Sequence, residues 1–189
     1  FWISDGAGTG CASFTGEVSG SEPFYALYPY SENAAVKGGC IELSIPQVQK
    51  ITSGSTADAA LYAVAVQGEN KRYAFKNICG ILRLSLKGHS SIKTIKVQDL
   101  SGRHIWGKCS IALDGKEGTD GQSLSISGGG NTITVELSSP LALSQTVPAA
   151  VNVVLPAGSL KNGFSIALYN QDGGAVSFLT ARNNFGGVG

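Results

Sequence analysis

Short runs of alternating apolar and polar residues, separated by turn-forming residues, follow one another along most of this chain. The clearest run places Leu82, Leu84 and Leu86 on one side and Arg83 and Ser85 on the other. This alternation is typical of a β-strand with one buried face, because successive side chains of a strand point to opposite faces of the sheet. Helical periodicity is almost absent, so we predict an all-β protein.

Two clusters of turn residues predict hairpins in the second half of the chain. The first is Gly-Gly-Gly-Asn at 128–131, and the second is Asn-Gln-Asp-Gly-Gly at 170–174. Each lies between two alternating runs, and glycine and asparagine accept the positive φ angles that a tight turn needs. Short strands at this spacing predict a β-sandwich, with Leu82, Leu84, Leu86, Ile111 and Leu113 in its core.

The composition excludes several classes of partner. Of the 189 residues, 42% are hydrophobic and 14% are charged, and the net charge is +1. Typical soluble domains carry roughly 25% charged residues, so the surface of this protein is unusually neutral. A neutral surface does not attract polyanions, and we therefore expect no binding to nucleic acid or to anionic membranes. Glycine, serine and threonine replace the missing charge, as in turn-rich β proteins that work outside the cell.

The densest charged stretch, Gly68–Arg72, is the best candidate for a linker. We therefore expect an N-terminal β domain over residues 1–70 and a C-terminal β-sandwich domain over residues 71–189. The first part is short for a complete sandwich, so we expect that domain to be partial. The chain also lacks Met at position 1. This indicates a processed, trimmed or incomplete start, and any membrane anchor would lie before it.

Four cysteines, Cys11, Cys40, Cys79 and Cys109, leave more than one interpretation open. An even number of cysteines in an exported chain permits disulfides, in any of three pairings. Cys79 and Cys109 lie in apolar strand patterns, which favours buried thiols that pack as small hydrophobic side chains. No Cys-x-x-Cys pair is present and only His104 lies near a cysteine, so metal ligation is the least expected role.

No residue pattern predicts a catalytic, cofactor-binding or metal site, and we expect that the protein is not an enzyme. The two histidines, His89 and His104, neighbour turns and are expected to be solvated. The chain has no Gly-x-Ser-x-Gly nucleophile elbow. The acids of Asp114–Asp120 could hold calcium, but they lack the regular spacing of an EF-hand loop and are typical of a surface loop.

Aromatic residues are the candidates for ligand contact. Tyr25, Tyr28 and Tyr30 belong to one aromatic-rich strand, and Trp106 lies between His104 and Gly107. Aromatic side chains on a strand usually belong to a core, whereas exposed ones can stack on a sugar. We single out Trp106 and Tyr28 as the candidate ligand-contact residues. Exposure of Tyr25, Tyr28 and Trp106 together would favour a carbohydrate-binding module over a purely structural protein.

A resemblance to a known family rests on the segment Tyr73–Gly88, Tyr-Ala-Phe-Lys-Asn-Ile-Cys-Gly-Ile-Leu-Arg-Leu-Ser-Leu-Lys-Gly. It resembles the opening strand of the second domain in the fimbrillin-like surface proteins of the Bacteroidetes, the type V pilin superfamily. Residues 92–107 are similar to the strand and loop that follow there. Tyr25–Tyr30 is similar to a Tyr-Pro strand late in the first domain of that family. The resemblance extends over residues 12–185 as a pattern of strands and spacers.

The resemblance implies two transthyretin-like β-sandwich domains in tandem, the first incomplete in this chain. It also implies a structural or adhesive subunit of a fimbria at the cell surface or outer membrane, exported as a lipoprotein whose anchor lies outside this chain. Its partners would be other fimbrial subunits, joined by strand addition, with a host or glycan ligand as a further candidate. The first arginine is Arg72, so the early processing arginine of that family has no counterpart here.

Overall fold

A computed structural model describes residues 2–5, 13–15, 17, 19–20, 23–52, 54–57, 60–68, 71–113 and 123–182. Within these residues the chain forms β-strands and no α-helix, which confirms the all-β prediction. The strands are β1 Trp2–Asp5, β2 Ser13–Thr15, β3 Tyr25–Tyr28, β4 Ala35–Lys37, β5 Cys40–Ile45, β6 Val48–Ile51, β7 Ala63–Val66, β8 Lys76–Asn77, β9 Cys79–Leu86, β10 Ser91–Asp99, β11 Trp106–Ala112, β12 Ser123–Gly130, β13 Thr132–Ala142, β14 Ala149–Pro156, β15 Phe164–Tyr169 and β16 Ala175–Ala181.

The strands are arranged in sheets that pack on one another as a sandwich. The largest is a five-stranded sheet in the order β16-β15-β10-β13-β6, and a four-stranded sheet has the order β12-β11-β5-β4. Strand β14 pairs with β9, β3-β7-β8 form a three-stranded sheet, and β1 pairs with β2. We call the four-stranded sheet and the β14-β9 pair together the second layer, because their buried residues meet those of the five-stranded sheet in one core.

The core contains the residues that the alternating pattern predicts. Leu84 and Ile111 are buried in it, and Leu82, Leu86 and Leu113 pack against it half-buried. Opposite them, the five-stranded sheet contributes buried β-branched side chains from its central strands, namely Ile92, Ile95, Val97, Ile133 and Val135. The β-branched residues suit these positions because their stiff side chains pack well on a pleated surface.

The pairing of β10 with β13 is interrupted where the first half of β10 does not alternate regularly. Ile92, Ile95 and Val97 are all buried, although Ile92 and Ile95 are three residues apart. Between the pairs Ile92–Leu141 and Thr94–Glu136, β10 advances two residues and β13 advances five. An irregularity in a ladder re-aims side chains, so Ile92 shares one core with Ile95 and Val97.

The hairpin predicted at 128–131 is wrong. Strand β12 pairs with β11 in the four-stranded sheet, whereas β13 pairs with β10 and β6 in the five-stranded sheet. The single residue between them, Asn131, therefore carries the chain from one sheet to the other. The glycines allow β11 and β12 to approach closely, because a Cβ on Gly129 would lie 1.7 Å from the carbonyl oxygen of Trp106.

The hairpin predicted at 170–174 is confirmed. Strands β15 and β16 pair antiparallel on either side of it. The Oδ1 atom of Asn170 accepts hydrogen bonds from the backbone N–H groups of Asp172 at 3.1 Å and of Gly174 at 2.7 Å. Such side-chain-to-backbone bonds stabilise a turn locally. Hydrogen bonds within its own residues therefore help to form this turn.

Strands from the first part of the chain pair with strands from the second. Strand β5 pairs antiparallel with β11, and β6 pairs parallel with β13. Hydrogen bonds thus cross the expected boundary near residue 70 in both of the larger sheets. The division into domains over 1–70 and 71–189 stays a prediction, as does the tandem arrangement.

Candidate functional site

At the β6 edge of the five-stranded sheet, one side chain bonds to the backbone of the second layer. The buried amide of Gln49 on β6 donates from Nε2 to the carbonyl oxygen of Val154 at 2.6 Å. The backbone N–H of Val154 donates in return to Oε1 of Gln49 at 2.9 Å. The two bonds imitate the pairing of a neighbouring strand, and they give both main-chain groups of Val154 a partner. This edge is therefore joined to β14 in the second layer.

The opposite edge, strand β16, is open. Within the described residues it pairs with β15 on one side only. It is seven residues long, contains no charged residue and no proline, and reads Ala-Val-Ser-Phe-Leu-Thr-Ala. Its Phe178 and Leu179 are 69% and 57% exposed. Edge strands are usually protected by charges, proline or a covering segment, since their free backbone groups can pair with another chain.

The inner face of β16 continues a row of core residues. Leu179 lies opposite Ile166, Ile166 opposite Val97, and Val97 opposite Ile133. Residues in such a row share one face of the sheet. Along this row the exposed fraction falls from 57% at Leu179 to 7% at Ile166 and to 0% at Val97 and Ile133. Along this row the cover therefore ends between Ile166 and Leu179, whereas Val176, nearer the hairpin, is half-buried and packs against the core.

A buried carboxylate organises the loops at one end of the sandwich. Asp99 accepts a hydrogen bond at Oδ2 from the backbone N–H of Leu160 at 2.8 Å. Its Oδ1 accepts from the backbone N–H of Ser101 at 2.8 Å and also from the Ser101 hydroxyl. Leu160 has a φ of 65°, which is strained for a residue other than glycine, so this bond helps to hold it. With both oxygens satisfied, Asp99 has a structural role.

The described cysteines Cys40, Cys79 and Cys109 are free thiols, and Cys11 lies outside the described residues. Cys79 and Cys109 are buried in the core, as expected for small hydrophobic side chains. Burial raises the pKa of Cys79 to about 11. Burial and the neighbouring Cys79 raise the pKa of Cys109 to about 12. Since the thiolate is the reactive form, neither thiol is a nucleophile at neutral pH.

The two predicted ligand-contact residues lie on different sheets. Tyr28, at the end of β3, is 68% exposed, whereas Trp106, at the start of β11, is half-buried and packs against the core. The indole lies against Gly130, where a Cβ would be 3.1 Å from its Nε1. Tyr25 is also half-buried against the core, so the three rings are not exposed together. A ligand-contact role for Trp106 and Tyr28 stays a prediction.

Further exposed aromatic side chains lie close to Tyr28 in the sequence or in the sheet. Tyr30 and Phe75 are both exposed. Tyr28 pairs with Ala63, and Ala63 pairs with Asn77, so these three residues share one row of the three-stranded sheet. Phe75 precedes Asn77 by two residues, and side chains two apart on extended backbone point the same way. Sequence alone singled out Tyr28 but not Phe75.

The remaining candidates for chemistry stay apart. His89 and His104 are exposed and lie in loops, as expected. In the described part of the chain, no three His, Cys, Asp or Glu side chains are grouped closely enough to hold a metal ion. The calcium candidate Asp114–Asp120 falls outside the described residues.

Among the described residues, none of the helical segments has the length and apolar character that a membrane-spanning helix requires.

These features define an all-β sandwich whose most distinctive surface is an open sheet edge. No protein-family model matches the chain, and no curated protein matches it significantly. The chain is similar to a crystal structure from Bacteroides ovatus ATCC 8483, provisionally described as a cell adhesion protein, with 12% sequence identity and a TM-score of 0.43. The match covers 92% of this chain and 64% of that protein, so this chain spans less than two thirds of its length.

Proposed function

We propose that this protein is a structural or adhesive subunit of a cell-surface fimbria and that it assembles with other subunits by strand addition. The observation that supports this proposal is the open edge β16. An added strand would form main-chain hydrogen bonds with this edge and would place alternate side chains over its inner face. Leu179, which is 57% exposed at the end of a buried row, is the apolar surface that such a strand would cover.

The chemistry of the described side chains supports a structural role over a catalytic one. The buried carboxylate of Asp99 is satisfied by backbone and hydroxyl donors. The thiols of Cys79 and Cys109 are protonated at neutral pH because burial raises their pKa values. An enzyme would instead require titratable groups gathered in a cleft, poised to accept or donate protons. We therefore propose that the protein acts through its sheet edges, at the cell surface, and without a cofactor.

The test of this proposal uses the precursor, expressed from its native start and trimmed by mild trypsin. Light scattering after size exclusion and negative-stain microscopy would then report assembly. We expect ladders or filaments after trimming, and we expect Phe178→Glu to weaken them by placing a charge on the open edge. Val147→Glu is the matched control, because Val147 is an equally exposed apolar residue outside β16. A stable monomer before and after trimming would contradict the proposal.

A surface carbohydrate-binding module is the second candidate, and the exposure of Tyr28, Tyr30 and Phe75 favours it. Exposed rings can stack on the apolar face of a sugar, and we take about 0.5–1.5 kcal/mol per ring, the value for a pair of aromatic side chains, as the scale of that contact. Calorimetric titration with a panel of oligosaccharides would test binding. If the rings bind sugar, Tyr28→Ala should weaken binding by about twofold to tenfold. Val147→Ala should leave it unchanged, and absence of binding across the panel would remove this candidate.

A further inference from the structure

We propose that β16 pairs antiparallel with β16 of a second copy of this chain, so that two five-stranded sheets join across a two-fold axis at Phe178. The proposal rests on the open edge named in the proposed function above and goes beyond that function, because a two-fold pair of strands closes on itself as a dimer and does not extend into a filament. Four observations carry it: the charge of the edge, the symmetry of its sequence, the fit of its inner face and the space beneath it.

The charge of β16 suits a copy of itself. A strand that pairs with its own copy brings identical residues near one another, and like charges directly opposite destabilise a strand pair. Strand β16 has no charged residue. By contrast, β6 carries Lys50, β9 carries Arg83, and β4 carries Lys37, which forms a surface ion pair with Glu42 at 3.2 Å. Like the uncharged edge strands β3, β12 and β14, β16 can therefore pair with its copy without charge repulsion.

The sequence of β16 is close to symmetric about its centre. Paired residues of antiparallel strands share a face. When a strand pairs with its own copy about a two-fold axis perpendicular to the sheet, one residue must therefore pair with the same residue of the copy, and the axis passes between the two. Full overlap of the seven residues places Phe178 on the axis. The next pair on either side is then Ser177 with Leu179. Val176 is an extra residue in β16, because Ser177 pairs with Leu168 and Ala175 with Tyr169, so the regular pairing about the axis is confined to Ser177–Leu179.

The inner face of β16 is self-complementary. The exposed Leu179 of one copy lies beside Ser177 of the other, and a serine leaves room for a leucine. Ser177 lies opposite Leu168, which is buried at the end of its own row. The pairing therefore places the exposed Leu179 of one copy beside Ser177 of the other, where that row lacks an apolar side chain. The two-fold symmetry forms this contact twice. On the outer face the two Phe178 rings lie opposite each other, an arrangement that favours aromatic contact.

The geometry around β16 leaves room for the copy. A perpendicular two-fold axis puts the second layers of both molecules on the same side of the joined sheet. The exposure of Leu179 indicates that this layer leaves the centre of β16 uncovered, so the two layers do not need to occupy the same space there. The register of β16 with β15 is regular from Ser177 to Ala181, and its shift lies between Ala175 and Ser177. The central residues are therefore in regular strand geometry.

One strand pair buries less surface than the roughly 1,200–2,000 Å² of a standard stable interface. We therefore expect a dimer that dissociates on dilution. Analytical ultracentrifugation over a concentration series should show a monomer–dimer equilibrium. Phe178→Glu should abolish it by placing two carboxylates at the axis, and Val147→Glu should leave it unchanged. A parent protein that stays monomeric at every concentration, or a dimer that survives Phe178→Glu, would overturn the proposal.

A cross-linking experiment tests the register itself. In a background carrying Cys11→Ser and Cys40→Ser, Phe178→Cys would place two thiols at the axis. Opposite Cα atoms of antiparallel strands are about 4.5–5.5 Å apart, within the range of about 4.4–6.8 Å that a disulfide spans. Thr180→Cys is the matched control, since its copies would be offset by four residues, or about 13 Å. A mild oxidant should yield a covalent dimer with Phe178→Cys and not with Thr180→Cys.

The outcomes separate this proposal from the proposed function. Equal cross-linking of both variants, or of neither, would reject pairing about Phe178, with circular dichroism confirming that both variants are folded. If the trimmed precursor forms filaments without such cross-linking, the fimbrial function holds and the β16 pairing fails. If the cross-link forms but no filament does, the pairing holds and the fimbrial function fails.

Discussion

The two edges of the five-stranded sheet differ in how they are joined to the second layer. At the β6 edge, Gln49 bonds to the backbone of Val154 in the second layer, and every second residue of the strand is buried. At the β16 edge, the central residues Ser177–Thr180 are exposed, the core-facing row ends at Leu179, and only Val176 packs against the core. One well-placed amide can therefore tie an edge strand to the layer beneath it, whereas the exposed centre of β16 is the kind of edge that can pair with another chain.

The largest effect is expected at the β6 edge. Gln49→Ala would leave the N–H and C=O groups of Val154 without partners in a buried site. Each unsatisfied buried group costs about 1–3 kcal/mol, so the free energy of unfolding should fall by about 2–6 kcal/mol. Urea unfolding would measure this loss. Gln145→Ala, which removes an exposed amide, should change it by no more than about 0.5 kcal/mol, and equal effects of both changes would break the comparison.

A matched pair of truncations in one row should show where the second layer ends. Ile166→Ala should cost about 2–5 kcal/mol, because the side chain is buried and its removal leaves a cavity. Leu179→Ala, one strand further out, should cost under about 1 kcal/mol, since more than half of its surface is already in water. Thermal or urea unfolding distinguishes the two, and a loss at Leu179 as large as that at Ile166 would show that β16 is covered.

The core between the two edges should respond to alkaline pH. The pKa of Cys79 is raised to about 11 and that of Cys109 to about 12, from an ordinary value of 9.0. The folded state thus keeps protons that the unfolded state loses. The resulting stability is full below about pH 9 and declines as the pH rises toward 11–12. Urea midpoints between pH 8 and pH 11 should show this decline, and Cys109→Ala should flatten it. An unchanged slope in that variant would contradict the assignment.

The smallest effect on stability is expected at the open edge. Phe178→Glu changes an exposed side chain without touching the core, so the free energy of unfolding should stay within about 0.5 kcal/mol of the parent value. The same change should abolish association in the ultracentrifuge. A large loss of stability in the monomer would show that Phe178 is needed for folding, and the two edges would then differ less than their exposure indicates.

The candidate site was only partly predictable from the sequence. The exposure of Tyr28 was anticipated as one alternative, whereas Trp106 packs against Gly130 and the core because β11 and β12 approach closely there. The open edge was not singled out, although the absence of charge and proline across β16 was a usable signal. That signal becomes informative only once β16 is known to lie at the edge of its sheet.

The sequence by itself determined what local forces control. The alternation of Leu82, Leu84 and Leu86 set a strand with one buried face, and Asn170 set a hairpin through bonds to residues two and four positions ahead. Tertiary structure decided what depends on distant residues. The glycines before Asn131 became a crossing between sheets because β11 lies against them, and Gln49 joins β6 to the second layer through a residue 105 positions away. Periodicity and turn propensity act over a few residues, whereas sheet membership and edge exposure depend on which distant strands pair.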